Sequence, residues 1–354
     1  MRLLLAGNHL SSHGGSRGPI EDLAERLRAE GHECICASSY RNGLIRAGDL
    51  LWTAAMRRSE YDAAVVDVYS GRAFLWADAL SRTLQRLEKP FVFTLHGGGL
   101  PEYAAAHPDA VRACLRRAAA VTAPSGYLRD GMSAYCSGIR VIPNPLDIRS
   151  LPYRMRRSAG PSLVWVRAFH RIYNPVLAPR VLHEVLRHLP EATLTMVGGD
   201  KDGSLRQTVE EANRLGVSDR ILFAGRQPHA QVARYLDSSD IFISTTNIDN
   251  TPVSVLEAMA CGLCVVSTDV GGVPWLIGHE QNGLLVPPRN EVAMANAIVR
   301  VVRDPLLATR LSVCARSTAQ QAEWTQVLPK WEEVLGNITR DARTDVCPMR
   351  AAAR

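Results

Sequence analysis

Short apolar runs alternate with segments of helical periodicity along nearly the whole chain. In the first part the runs are Arg2 to Ala6, Glu33 to Ala37, Ala63 to Asp67, Phe91 to Leu95, Ala120 to Ala123 and Arg140 to Ile142. Runs of strand length separated by helical patterns predict parallel strands joined by crossover helices. The helix from Pro19 to Ala29 is the best marked, with proline near its first position, Glu21 and Asp22 in its first turn and Gly31 just past its end. Around Pro143 to Ser162 the periodicity fails while Pro, Gly, Ser and Arg accumulate, which predicts a linker. A second series follows at Leu163 to Val166, Leu194 to Gly198, Ile221 to Ala224, Ile241 to Ser244, Leu263 to Ser267 and Leu284 to Val286. The pattern is therefore α/β, two Rossmann-like parallel-sheet domains over residues 1–148 and 149–325 facing each other across a cleft. Ligands of such sheets bind at the carboxyl ends of the strands. Helical patterns at Glu291 to Val302, Pro305 to Ala319 and Trp324 to Leu335 come last. Residues 326–343 are read as a helix packing back toward the first domain, and 344–354 as a disordered tail.

Composition narrows the class. A chain of 354 residues with 46% hydrophobic and 21% charged residues is an ordinary globular one, long enough for two domains. The formal charge is +6 and the pI near 9.0, but the basic residues are scattered, so nucleic acid is not an expected partner. Their nearest groupings are Arg112, Arg116 and Arg117, and Arg154, Arg156 and Arg157, which read either as solvated faces or as a weak peripheral membrane contact through lipid headgroups. Eight cysteines include the pairs Cys34 with Cys36 and Cys261 with Cys264, yet no further pair stands at zinc spacing. All eight are read as reduced, mostly buried thiols, with a cytoplasmic location, peripheral at the inner membrane face if the lipid contact is made. No apolar run approaches the ~20 residues that span a bilayer.

The candidate chemistry centres on TTNIDNTPVSVLEAMACG, Thr245 to Gly262. Asp249 lies on the loop after an apolar strand and Glu257 inside the following helix, for which Thr251 is the expected N-cap and Pro252 the first residue. A helix start presents free N–H groups to an anion, and flanking carboxylates accept hydrogen bonds from vicinal diols. That combination suits a sugar nucleotide. Gly14 and Gly15, just upstream of a helix start, let backbone approach a diphosphate, or serve only as a flexible turn. Their spacing does not match the dinucleotide fingerprint. His96 ends a strand and precedes three glycines, and Arg167 ends the first strand of the second series with His170 and Arg171 close by. A guanidinium there neutralises a departing diphosphate, or forms a surface ion pair. Asp200 and Asp202 have the acid-x-acid spacing of some metal-dependent sugar transferases, but glycines around them favour an ordinary loop, so no metal site is assigned. Gly271 and Gly272 bring backbone close either to a ligand or to neighbouring chain.

With these residues placed, the chain resembles the GT-B glycosyltransferases of family 4, retaining enzymes that use nucleotide sugars. The resemblance runs from the Gly-Gly loop and GHECICAS through TLHGG, VIPNPLD and LEAMACG to TDVGGVPWLI and NGLLVPP. It implies that Asp249, first in an E-x(7)-E pattern, binds donor hexose hydroxyls, and that Glu257 binds the ribose. By the same resemblance Gly14 and Gly15 meet the donor phosphates, His96 lies near the transferring centre, Arg167 binds the diphosphate and Asn144 positions the hinge. Asn250 and Thr251, with Pro252 and Val253 beside them, present backbone to the hexose. The implied reaction is metal-independent hexosyl transfer from a nucleotide diphosphate sugar, UDP-linked by preference, to a hydroxyl of a saccharide, lipid-linked saccharide or small natural product. No cofactor beyond that co-substrate is implied.

Two positions depart from the family. The first carboxylate is aspartate, one methylene shorter than glutamate. The family lysine six residues beyond the arginine is Tyr173, and none of the three lysines Lys89, Lys201 and Lys330 is near. Arg171 is the nearest substitute for the missing charge. A non-catalytic sugar-nucleotide-binding partner subunit, or a nucleotide-sugar epimerase on the same fold, are the alternatives. In the first domain Phe74, Leu75 and Trp76 fall on the acceptor side, with Trp76 in a helical stripe with Leu80, Leu84 and Leu87 that also suits core packing.

Overall fold

The computed structural model describes residues 1–9, 18–40 and 42–345, with side chains through 340. The chain divides into two compact units, Met1–Pro145 with Val327–Arg354, and Leu146–Gln326. The first holds strands β1 (Arg2–Ala6), β2 (Glu33–Ala37), β3 (Ala63–Val68), β4 (Phe91–Leu95), β5 (Ala120–Ala123) and β6 (Arg140–Val141). Its helices are α1 (Pro19–Ala29), α2 (Gly43–Met56), α3 (Arg72–Arg86), α4 (Leu100–Ala106), α5 (Pro108–Leu115) and α6 (Gly126–Met132). The second holds β7 (Ser162–Val166), β8 (Thr193–Val197), β9 (Ile221–Gly225), β10 (Ile241–Ser244), β11 (Cys264–Thr268) and β12 (Leu284–Val286). Its helices are α7 (Leu177–Leu186), α8 (Ser204–Arg214), α9 (His229–Asp237), α10 (Val253–Ala260), α11 (Val273–Leu276), α12 (Glu291–Arg303) and α13 (Pro305–Gln320). The last helix, α14 (Trp324–Asp345), lies mostly in the first unit.

Both sheets are six-stranded, with orders β2-β1-β3-β4-β5-β6 and β12-β11-β10-β7-β8-β9, and their strand pairs are parallel. Each strand lies within one residue of the apolar run that predicted it. Strands covered by helices on both faces carry mostly apolar runs rather than alternation, and every residue of β4 and β11 is buried. Helix α1 starts after Gly18, whose N–H donates to Glu21 Oε2 at 2.8 Å, with Pro19 in the first position.

Several expectations change. The segment read as a linker is packed into the second unit, where Ile148 and Leu151 are core residues. Arg156 is fully buried rather than solvated. Its guanidinium donates to the carbonyl oxygens of Arg154, Leu236, Asp237, Ser239 and Cys261, and so caps the carboxyl ends of α9 and α10. Arg117 is half-buried, donating to Asp78 Oδ1 and Ser81 Oγ, both at 2.7 Å. These two groupings are therefore partly internal structure. The apolar stripe of α14 continues past Leu335 to Ile338, so the helix runs through Gly336 and includes Thr344 and Asp345; 346–354 lies outside the described residues. Among the described cysteines Cys114, Cys261 and Cys264 are buried, and burial pushes each up to about 12, while Cys36 is exposed.

An acid-sensitive link joins two helices of the second unit. Glu211 on α8 accepts from Arg214 at 2.7 Å and also from Arg180 on α7. Its hydrogen bond with Arg214 outweighs desolvation and, with Arg180, holds the carboxyl down to about 2 from 4.5. The unfolded chain takes up the proton first, so this contribution is complete above about pH 4.5 and lost as pH falls toward 2. Glu211→Gln is expected to lower the melting temperature at pH 7 and to converge with the parent near pH 2 in a pH series of thermal melts.

Candidate active site

In the second sheet β8 and β9 lie on one side of β7, and β10, β11 and β12 on the other. The chain reverses its direction of growth between β7 and β10, and the loops leaving their carboxyl ends part there, which opens a crevice. Arg167 follows β7, and the run from Thr245 follows β10. Hydroxyls fix the loop. Trp165 Nε1 donates to Thr245 Oγ1 at 3.0 Å, and Thr245 Oγ1 donates to the Tyr173 carbonyl at 2.9 Å. Thr246 Oγ1 donates to the Ile248 carbonyl and Thr268 Oγ1 to the Thr246 carbonyl, at 2.9 and 2.6 Å. The Gly271 and Gly272 turn packs on the same loop: a Cβ on Gly271 would stand 2.2 Å from the Asp249 carbonyl oxygen, and one on Gly272 2.1 Å from that of Asn250. Of the two roles open to this turn, it serves to hold the loop backbone.

Arg167 Nη2 donates to Asp249 Oδ2 at 2.6 Å, and its guanidinium carbon lies 4.3 Å from the Tyr173 ring centroid. The tyrosine in the place of the family lysine thus stacks on the arginine and holds its plane. The Asn250 N–H donates to Asp249 Oδ1 at 2.9 Å. Burial pushes the Asp249 carboxyl above its ordinary range, opposed by the charge of Arg167, the Asn250 N–H and the Arg167 hydrogen bond. Glu257 projects from α10, and its Oε1 lies 3.0 Å from Nε2 of His229, the first residue of α9. A pocket of about 10 Å³, room for one water, is lined here by Arg167, Tyr173, Thr246, Asp249, Pro252 and Ser254.

The helix start differs from expectation. Pro252 has ψ 113 and stays extended, so it is the N-cap and α10 begins at Val253. Thr251 does not cap it, and its Oγ1 is buried with no hydrogen-bond partner among the described residues. The Asn250 N–H is engaged by the neighbouring carboxylate rather than directed outward. The Arg171 side chain is exposed, and its N–H donates to Asp202 Oδ2 at 2.9 Å. Asp202 also accepts from the Ser204 N–H, and Asp200 Oδ1 accepts from the Gly203 N–H at 3.0 Å, so both aspartates fasten loop backbone. Among the described residues no group of three or more His, Cys, Asp or Glu could hold a metal ion.

In the first unit the sheet reverses between β1 and β3, and a pocket of about 40 Å³ lies at that point, lined by Asn8, Arg46, Asp67, Tyr69 and Trp76 among others. Trp76 is thus half-buried on a pocket wall, while Phe74 and Leu80 fill the core and Leu75 is exposed. His96, after β4, is buried, with its Nε2 2.9 Å from Asp67 Oδ1 and its ring stacked on Tyr69 at 5.0 Å. The Asp67 side chain is 4% exposed, and its Oδ2 has no hydrogen-bond partner among the described residues. The carboxylate on Nε2 orients the ring. Gly14 and Gly15 lie outside the described residues.

Asp67, His229 and the stacking role of Tyr173 are not among the residues that the sequence singles out. A carboxylate ending the apolar strand AAVVD was the one available signal, since both histidine partners lie 28 or 29 residues away along the chain.

A family model described as Glycosyltransferase Family 4 matches residues 14–150, and one described as Glycosyl transferases group 1 matches residues 160–304. The chain belongs to the family 4 glycosyltransferases. The chain is similar to a D-inositol 3-phosphate glycosyltransferase of Xylanimonas cellulosilytica, 27% identical over 46% of the chain and 40% of that relative. The match thus spans less than half the length of that curated relative. Its fold is that of sucrose-phosphate synthase from Thermosynechococcus elongatus, with a TM-score of 0.81, 19% identity, and coverage of 96% of this chain and 99% of the other. HepE of Anabaena in complex with UDP-glucose is also similar, with a TM-score of 0.70, 18% identity, and coverage of 95% and 100%. These neighbours establish the GT-B fold for the chain. Among the described residues none of its helices is long and apolar enough to cross a membrane.

Proposed function

We propose that this chain moves a hexosyl residue from a nucleotide diphosphate sugar, with UDP-sugars preferred, to a hydroxyl of a saccharide, lipid-linked saccharide or small natural product. The Arg167–Asp249 ion pair at the reversal of the second sheet carries the reading. Each group is at present the other's partner. A sugar nucleotide offers both a replacement, its diphosphate to the guanidinium and its hexose hydroxyls to the carboxylate. Glu257 on the following helix takes the ribose diol, with His229 orienting the carboxylate. HepE, a structural neighbour, was solved with UDP-glucose, which supports the choice of donor.

The proposed chemistry retains configuration and needs no metal ion. The bond from the sugar C1 to the phosphate oxygen breaks while a bond from C1 to the acceptor oxygen forms on the same face. The acceptor proton passes to the departing phosphate oxygen. Arg167 stabilises the charge that grows on that phosphate. In the first unit, His96 held by Asp67 is assigned a substrate hydroxyl. Because Asp249 is shorter than the family glutamate, it is the residue proposed to select the hexose.

Gly272→Ala is expected to displace the Asn250 backbone and lower transfer about 100-fold, since misplacements near 1 Å cost that much. Initial rates with the folded variant check it. The proposal itself is tested by melting the protein with UDP-, GDP- and dTDP-sugars, because selective donor binding raises the melting temperature. No shift with any donor would overturn it. A non-catalytic sugar-nucleotide binder is the second reading, favoured by Tyr173 in place of lysine. A melting shift without transfer across a broad acceptor panel would support that reading.

A further inference from the structure

Helix α2 is apolar on two faces. Leu50, Thr53 and Ala54 face the core of the first unit. Leu44, Ile45, Trp52 and Met56 are 73%, 54%, 61% and 64% exposed. At 100° per residue these four, with Gly48, fall within an arc of about 120° on the outer side. The surface continues onto neighbouring structure. The Trp76 ring of α3 lies so close to Gly43 that a Cβ there would meet it at 2.6 Å, and the adjacent Leu75 is 60% exposed. A helix apolar on all sides belongs in a core or at an interface, and large exposed apolar patches mark contact surfaces.

The charges around the patch select its partner. From Gly43 through Arg58 and from Arg72 through Arg86 the chain carries the arginines Arg46, Arg57, Arg58, Arg72, Arg82 and Arg86, against Asp49 and Asp78. Arg46 is turned inward, donating to Asn8 Oδ1 and the Tyr40 carbonyl, Arg57 pairs with Glu60 and Arg82 with Asp78. Arg58, Arg72 and Arg86 are exposed. A second copy docking by two-fold symmetry would set the same basic rim against itself. An anionic lipid surface fits both parts: apolar side chains enter the acyl boundary, Trp52 sits at the interface, and arginine stems reach up to headgroups.

We infer that the outer face of α2, with Leu75 of α3 and the arginines around it, is a docking surface for an anionic lipid bilayer. The inference stands on surface chemistry and does not depend on the glycosyl-transfer reading. It places the lipid contact away from Arg117 and Arg156, which are engaged within the protein.

Co-sedimentation of the full chain with vesicles tests it, using phosphatidylcholine alone and phosphatidylcholine mixed equally with phosphatidylglycerol. The protein is expected to pellet with the mixed vesicles only, and to be released as salt rises. The double variant Trp52→Ser, Met56→Ser is expected to lose about tenfold or more in partitioning, the scale of removing two large inserted side chains. Arg58→Glu with Arg72→Glu is expected to lose a similar factor with the mixed vesicles. These are surface positions, and unchanged melting temperatures certify folding. Equal pelleting with both vesicle types, or by parent and variants alike, would overturn the inference. So would light scattering that shows a dimer of the parent and a monomer of Trp52→Ser, Met56→Ser, which would make the face a self-association surface.

Discussion

Arg167→Ala is expected to abolish transfer, with a loss of about 1,000-fold or more in kcat/KM, while the protein still folds. Removing a single charge-stabilising donor from a reacting centre costs about 100- to 1,000-fold, and this side chain does more than one task. In the proposed reaction it supplies the positive charge for the diphosphate, and it is the partner of Asp249 at 2.6 Å. Without it Asp249 keeps the Asn250 N–H alone, and burial drives its carboxyl further toward the protonated form, which no longer accepts two hydroxyl hydrogen bonds. Arg167→Lys restores charge but not the planar stack on Tyr173 or the fork of N–H groups, so it is expected to recover only part of the activity. Initial rates beside melting curves separate lost chemistry from lost fold. The raised Asp249 carboxyl also sets a direction for pH: activity is expected to fall on the acid side at a higher pH than an ordinary aspartate would give, because a protonated Asp249 is a poorer acceptor for the hexose hydroxyls assigned to it.

The largest expected effect on stability lies at Arg156. Arg156→Met keeps much of the side chain's volume and removes every donor. The carbonyl oxygens of Leu236, Asp237, Ser239 and Cys261, gathered at the carboxyl ends of α9 and α10, then lose the guanidinium. Unsatisfied buried acceptors cost about 1–3 kcal/mol each, with partial relaxation. A total loss of about 3–5 kcal/mol is expected, and at about 2–4 °C per kcal/mol the second unit should melt roughly 10 °C lower. Differential scanning calorimetry checks it. Burial already lowers the pKa of this arginine, joined by the neighbouring charge of Arg154 and opposed by Asp240, whose Oδ1 lies 3.5 Å from Nε, so that carboxylate and the carbonyl contacts together hold the cation.

Arg156 also shows where sequence reading ends. Its neighbours Pro, Gly, Ser and Arg look like a solvated linker, because local composition cannot reveal that helix ends from eighty and a hundred residues later converge on it. The strands were legible for the opposite reason. A parallel strand covered on both faces reads as a mostly apolar run, so its position is written locally, and β1, β2, β4, β5, β10 and β12 begin and end where those runs do. Asp249 and Glu257 were legible as a motif, since their spacing is local. Their partners were not. The pairing of Asp67 with His96, and of Glu257 with His229, depends on which strands and helices become neighbours, and that order emerges only from the assembled sheet. The start of α10 was misplaced by one residue because Pro252 is equally at home in an extended N-cap and in a first helical turn.

The central claim is that the second unit binds a sugar nucleotide through Arg167, Asp249 and Glu257. Calorimetric titration of UDP and of UDP-glucose into the parent protein and Glu257→Ala tests it most directly. The expected result is saturable binding of both by the parent, and a loss of affinity of about 100-fold or more for both in Glu257→Ala, because two charge-assisted hydrogen bonds to the ribose diol are removed. Equal affinities in the parent and the variant, or no binding by a folded parent, would contradict it.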